Sequence, residues 1–139
     1  MMLQTVIVGS LPRPAWLATP GELYVKWMLE GDALAEAQDD AVRVAVAEQS
    51  TAGLDVITDG EQRRRHYIWG FVERLEGIDF ERLATITPRG GRYGNRVEAA
   101  RVVGAIRRRR SMAREEIRFL RELTDRPIKV TLPGPMTTA

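Results

Sequence analysis

Two carboxylates and a hydroxyl stand where a small polar ligand could be held: Asp59 and Glu61 in Thr58-Asp59-Gly60-Glu61, and Ser10 directly behind Gly9. Each follows an apolar run rich in β-branched residues, Leu54-Asp55-Val56-Ile57-Thr58 in one case and Thr5-Val6-Ile7-Val8 in the other. Glycine lets a ligand approach the backbone. Amides and a hydroxyl can hold a carboxylate, and a carboxylate can hold an ammonium. The set therefore suits an amino acid, with Gly9 and Ser10 on its carboxylate and Glu61 on its ammonium. A plainer reading stands beside it, in which Asp59-Gly60 is only a turn and Glu61 an acid favoured by a helix N-terminus. The residues by themselves leave both open.

The elements that must position these groups are legible as an alternation of helix and strand. Gly53 is a helix stop, since the C-terminal end of a helix often needs the left-handed conformation. Short apolar runs without clean alternation, flanked by helices, fit parallel strands buried on both faces. This predicts strands near 5–9, 54–58 and 128–132, the last leaving into Pro133-Gly134-Pro135-Met136-Thr137. Asp32 is the expected N-cap of a helix through Thr51 that buries Leu34, Ala37, Ala41 and Val44. A short helix is expected over Gly21–Leu29 with Leu23 and Trp27 inward, and another over Arg63–Leu75 with Ile68 and Leu75 on one face. Ser111 is expected to cap a helix burying Ala113, Ile117, Leu120 and Leu123. Residues 83–104 read as a hairpin-like excursion around Pro88-Arg89-Gly90-Gly91. The whole is an α/β chain, and right-handed crossovers would bring its three strand exits to one edge. Ligands in α/β folds sit beyond such carboxyl ends.

Composition narrows the function. The 139 residues make one domain at most, and no apolar run is long enough to span a bilayer. The first residues lack the pattern of a signal peptide, so a cytoplasmic protein that does not enter a membrane is expected. There is no cysteine and one histidine, His66. That excludes a disulfide, a thiolate metal site or a cysteine nucleophile within these residues. His66 is expected to be a surface or packing residue rather than a base. The net charge of +2 hides an asymmetry: residues 1–62 hold three basic against ten acidic side chains, residues 63–139 eighteen against nine. Arg63-Arg64-Arg65 and Arg107-Arg108-Arg109-Arg110 carry interleaved acids and few aromatics, which argues against nucleic acid. They read as a solvated face, with one or two arginines free to meet an anionic substrate. Asp39-Asp40 also read as solvated, and Gly90-Gly91 and Gly94 do not form a phosphate loop.

Three motifs in order resemble the catalytic barrel of cobalamin-independent methionine synthases and their short relatives. They are Val8-Gly9-Ser10-Leu11-Pro12-Arg13-Pro14, then Gln49 with Gly53 to Arg63, and Lys129 to Thr137. The resemblance implies a TIM (β/α)8 barrel in which a zinc-bound homocysteine thiolate takes a methyl group from methyltetrahydrofolate. It implies that Val8, Gly9, Ser10 and Glu61 bind homocysteine. Gly94-Asn95-Arg96 is similar to a folate contact, which makes Arg96 a candidate. The family's zinc ligands and acid histidine come from later strands and have no counterpart here, so no catalytic residue and no metal ligand is assigned, and zinc is expected to be held outside these residues. A full barrel needs roughly 200 residues or more. Residues 1–139 therefore read as one partial barrel domain, about three βα units, inactive alone and completed by another chain or by self-association. Zinc-dependent epoxyalkane:coenzyme M transferases share much of the pattern, and a non-catalytic remnant or partner subunit is the reading from another class.

Overall fold

The computed structural model describes residues 3–21, 25–91, 96–109, 111 and 113–138. The chain divides into two compact units, Met1–Gly70 with Ala113–Ala139, and Phe71–Met112. The elements in order are α1 (Gly31–Thr51), α2 (Trp69–Val72), β1 (Leu75–Ile86), a 3-10 turn (Pro88–Gly91), β2 (Val97–Arg108), α3 (Arg114–Leu123) and α4 (Pro135–Thr138). Among the described residues no helix is long and apolar enough to cross a membrane.

The first unit is built around α1, whose alanines favour a helix and whose alanines and valines give it two buried faces. One face, Ala37 and Ala41, packs with Leu17, Ala18 and Val25, with Trp27 and Leu34 at its margin. The other, Val42 and Val46, packs with Ile57 and Leu120, flanked by Leu54, Phe119, Leu123 and Ile128. Val44 is exposed, contrary to the expected pattern. At about 100° per residue it points roughly opposite to Val42 and Val46. The helix starts at Gly31 with Glu30 as N-cap, so Asp32 is not the cap but a first-turn acid, where the helix dipole favours it. The helix ends at Thr51, and Gly53 follows at φ 76°.

The segments near 5–9, 54–58 and 128–132 run beside one another without forming a regular ladder. A single parallel bridge joins Ile57 and Ile128, with Ile57 N donating to Pro127 O and Lys129 N to Ile57 O, both at 2.9 Å. Asp55 N and Val56 N both donate to Thr5 O at 3.1 Å, and side chains take further pairing positions. Thr58 exchanges both backbone groups with the Gln49 amide, at 2.8 and 3.0 Å, and Thr5 N donates to Asp55 Oδ2 at 2.7 Å.

Two expected helices differ. Over Gly21–Leu29 the described residues form no helix: Ala18 and Trp27 make an antiparallel bridge, and Leu23 lies outside the described residues. Non-local bonds, Thr19 N to Lys26 O and Val25 N to Arg65 O, override the local pattern. Over Arg63–Leu75 only Trp69–Val72 is helical, because Arg64 turns inward and Ile68 N donates to His66 Nδ1 instead of to a helical carbonyl. In α3 the N-cap is Ala113 rather than Ser111. Glu116 and Leu120, four residues apart, face inward, and Ile117 is exposed.

The second unit is an antiparallel hairpin of β1 and β2, wider than the expected excursion. Its register shifts twice. Between Glu76 and Ile78 one residue of β1, Gly77, stands opposite four of β2; between Asp79 and Ala84 four residues of β1 stand opposite Ala100 alone. Gly77 has φ 81°, and a Cβ there would lie 2.6 Å from Ala105 O, so this bulge requires glycine.

Candidate functional site

The turn from Asp59 to Arg64 carries the site. Glu61 is 3% exposed and adopts φ 56°, the one non-glycine residue with positive φ among the described residues. That conformation costs a side-chain-bearing residue about 1–2 kcal/mol. Outliers of this kind persist only where the surroundings over-determine them. The surroundings do so here. Ser10 Oγ donates to Glu61 Oε2, and Thr131 Oγ1 donates to Glu61 Oε1. Hydrogen bonds to a charged acceptor contribute about 1.5–3 kcal/mol each. One carboxylate thus ties together the ends of all three extended segments. Gly9 makes this possible, because a Cβ at that position would sit 2.9 Å from Glu61 Oε1 and 3.0 Å from Thr131 Cγ2.

Two side chains clamp the Glu61 backbone. Asp59 Oδ1 accepts from Glu61 N at 3.0 Å, and Arg13 Nη2 donates to Glu61 O at 3.0 Å and also to Arg64 O. Arg64 is buried, with Nη1 3.8 Å from Glu61 Oε1 and 2.8 Å from Thr131 O. Burial pushes the Asp59 carboxyl up from its ordinary range; its bond from the Glu61 amide and the charge of Arg64 oppose this, and Glu61 and Glu116 add to it. Burial lowers the Arg13 pKa, while the negative charges of Glu61 and Asp59 act the other way. The His66 ring, 4.5 Å from that of Tyr67, has its pKa lowered by burial and by Arg13, with Glu61 opposing. His66 is thus a packed residue near the turn.

A pocket of about 270 Å³ opens beside the carboxylate, lined by Glu61, Arg64, Tyr67, Thr131, Gly134 and Thr137 among others. It offers an anionic acceptor, a guanidinium and hydroxyls, a set that can take a molecule bearing both an ammonium and an anionic group.

Of the residues singled out in the sequence, Gly9, Ser10 and Glu61 come together. Val8 is 91% exposed, and Arg96 is exposed in the second unit. Gly94 and Asn95 lie outside the described residues. Reasoning from sequence missed Arg13, Arg64 and Thr131 as parts of the site. The Arg63–Arg65 run is not simply a solvated face: Arg64 is buried, and Arg63 pairs with Asp39 at 2.5 Å and lies 4.6 Å over the Phe119 ring. Asp39 is accordingly only partly solvated. The spacing that could have exposed Arg64 is its position three residues after Glu61.

The donor set does not fit a zinc site. Four-coordinate zinc takes its ligands from cysteine, histidine and carboxylates. This chain has no cysteine and one histidine. Among the described residues no group of three or more His, Cys, Asp or Glu could hold a metal ion.

Comparison with known proteins gives the same stretch a consistent set of relatives. The family described as cobalamin-independent synthase, catalytic domain, matches residues 3–139. The methionine synthase of Sulfolobus acidocaldarius is 34% identical over 137 residues, covering 98% of this chain and 39% of that protein. That of Sulfurisphaera tokodaii is 33% identical over 139 residues, covering 99% and 40%. The structure of a B12-independent methionine synthase from Shewanella sp. W3-18-1, in complex with selenomethionine, superposes with a TM-score of 0.92 at 41% identity, over 99% of this chain and 40% of that one. The chain thus spans about two-fifths of the length of the relatives it matches.

Proposed function

The chain belongs to the catalytic-domain family of cobalamin-independent synthases, and from that premise we propose that it forms part of a methyltransferase that moves a methyl group from 5-methyltetrahydrofolate, or its polyglutamate form, to homocysteine. In this reading residues 1–139 contribute about three βα units of a (β/α)8 barrel and supply the wall that binds the amino acid. The α/β architecture and the superposition on the Shewanella enzyme support it. Zinc belongs to the reading only through ligands outside this chain.

The observation that carries the proposal is the Glu61 carboxylate, held between two hydroxyls beside a pocket. Glu61 accepts the ammonium of homocysteine, since a carboxylate has about four lone-pair sites and the two hydroxyls fill only two of them. The amides of Gly9 and Ser10 take the substrate carboxylate, and Val8 borders the same strand exit. Arg96 is assigned to the folate. The Shewanella protein was solved with selenomethionine, an amino acid with the chemistry of the proposed product, which supports an ammonium-bearing ligand. A thiol carrying a sulfonate and no ammonium, as in coenzyme M, gains nothing from Glu61. This disfavours the epoxyalkane transferase reading.

Isothermal titration of the chain with L-homocysteine and with 2-mercaptoethanesulfonate tests the proposal. L-homocysteine should bind, the sulfonate should not, and Glu61→Gln should weaken the amino acid at least tenfold. Equal binding of both thiols, or homocysteine binding unaffected by Glu61→Gln, overturns it.

A further inference from the structure

Glu61 has its amide and its carbonyl bound by side chains from different parts of the first unit. The amide is taken by Asp59, two residues earlier in the same turn, and the carbonyl by Arg13, from the Pro12-Arg13-Pro14 loop, alongside the Arg64 amide of the turn at 3.1 Å. Because Arg13 Nη2 also donates to Arg64 O, it ties down both ends of the four-residue turn. Prolines on either side of Arg13 restrict the loop that carries it. In the left-handed region Glu61 gains nothing from intrinsic preference, so the direction of its carboxylate depends on what holds the backbone.

We propose that Arg13 and Asp59 are positioning residues that lock Glu61 in the left-handed conformation and so aim its carboxylate at the ligand's ammonium. The proposal rests on the function given above and specifies how the site tells an ammonium from a hydroxyl. Asp59 Oδ2 is buried and has no hydrogen-bond partner among the described residues. The clamp therefore needs one oxygen of Asp59, and an asparagine can supply it.

The test compares L-methionine with its 2-hydroxy analogue, 2-hydroxy-4-(methylthio)butanoate, by titration of the full chain. Wild type should prefer the amino acid. Arg13→Ala and Asp59→Ala should cut that preference at least tenfold, whereas Asp59→Asn should retain it. A loss shared equally by both ligands marks a general structural defect and overturns the proposal, as does an unchanged preference in Asp59→Ala. Should Arg13→Ala fail to fold, the two Asp59 variants decide. Hydrogen exchange at the Glu61 amide reads the clamp without ligand: at least tenfold faster in Asp59→Ala and near wild type in Asp59→Asn. Equal rates in the two variants overturn the clamp. If the exchange result holds while wild type binds neither ligand, the proposed function fails and the clamp stands.

Discussion

Arg64 and Arg107, drawn from two arginine runs that look alike in the sequence, lie in opposite surroundings. In the turn after Glu61, Arg64 is buried at 5% exposure and bonded to Thr131. On β2, Arg107 and Arg108 are exposed on a ladder, opposite Glu76 and Leu75. An arginine in the interior stays there because its partners are fixed; one on a strand surface is held mainly by water. The difference teaches that a charge run has no single meaning, and that the non-local partner decides each member.

Substitution should sharpen this contrast. Arg64→Ala leaves Glu61 and the Thr131 carbonyl short of a partner and should destabilise by about 3 kcal/mol, within the range for breaking a buried pair. Arg107→Ala should stay within about 0.5 kcal/mol. Urea unfolding of both variants measures the gap, and equal losses would break the comparison. A second pair uses glycines. Gly9→Ala drives a methyl into Glu61 and Thr131 and should destabilise by about 1–3 kcal/mol. Gly104→Ala on β2 meets nothing closer than 3.8 Å and should change stability by about 0.5 kcal/mol or less.

Smaller effects follow within the turn. Glu61→Gly and Glu61→Ala both lose the carboxylate, but only alanine keeps the left-handed penalty, so the glycine variant should be the more stable by about 1 kcal/mol. Thermal unfolding of the pair reads this directly. The smallest effect is on pH dependence. Burial raises the folded-state pKa of Asp59 above the ordinary 3.8, so the folded state holds its proton where the unfolded state has lost it. Stability from this group is present below the unfolded value and lost as pH rises through the folded one. Asp59→Asn should remove that fall, giving a flatter stability profile above about pH 4 in denaturant titrations.

Much of the frame was legible in the sequence. The long helix ending before Gly53, the hairpin around Pro88–Gly91 and the groups at the segment ends all follow from local rules of capping, turn chemistry and periodicity. What was not legible depends on contacts distant in sequence. Val44 and Val42 differ only in which face of α1 meets Ile57 and Leu120. The helix pattern over Arg63–Leu75 gave way because burying Arg64 beside Glu61 and Thr131 outweighed local propensity. Arg13 looked like part of a rigid loop, and nothing local told that its guanidinium reaches residues about fifty positions away.

The most direct test of the proposed amino-acid site is a crystal structure of the chain with L-methionine. The ligand nitrogen should lie within about 3.2 Å of a Glu61 carboxylate oxygen, in the pocket bordered by Thr131 and Gly134. A ligand bound with its nitrogen away from Glu61 would contradict the account.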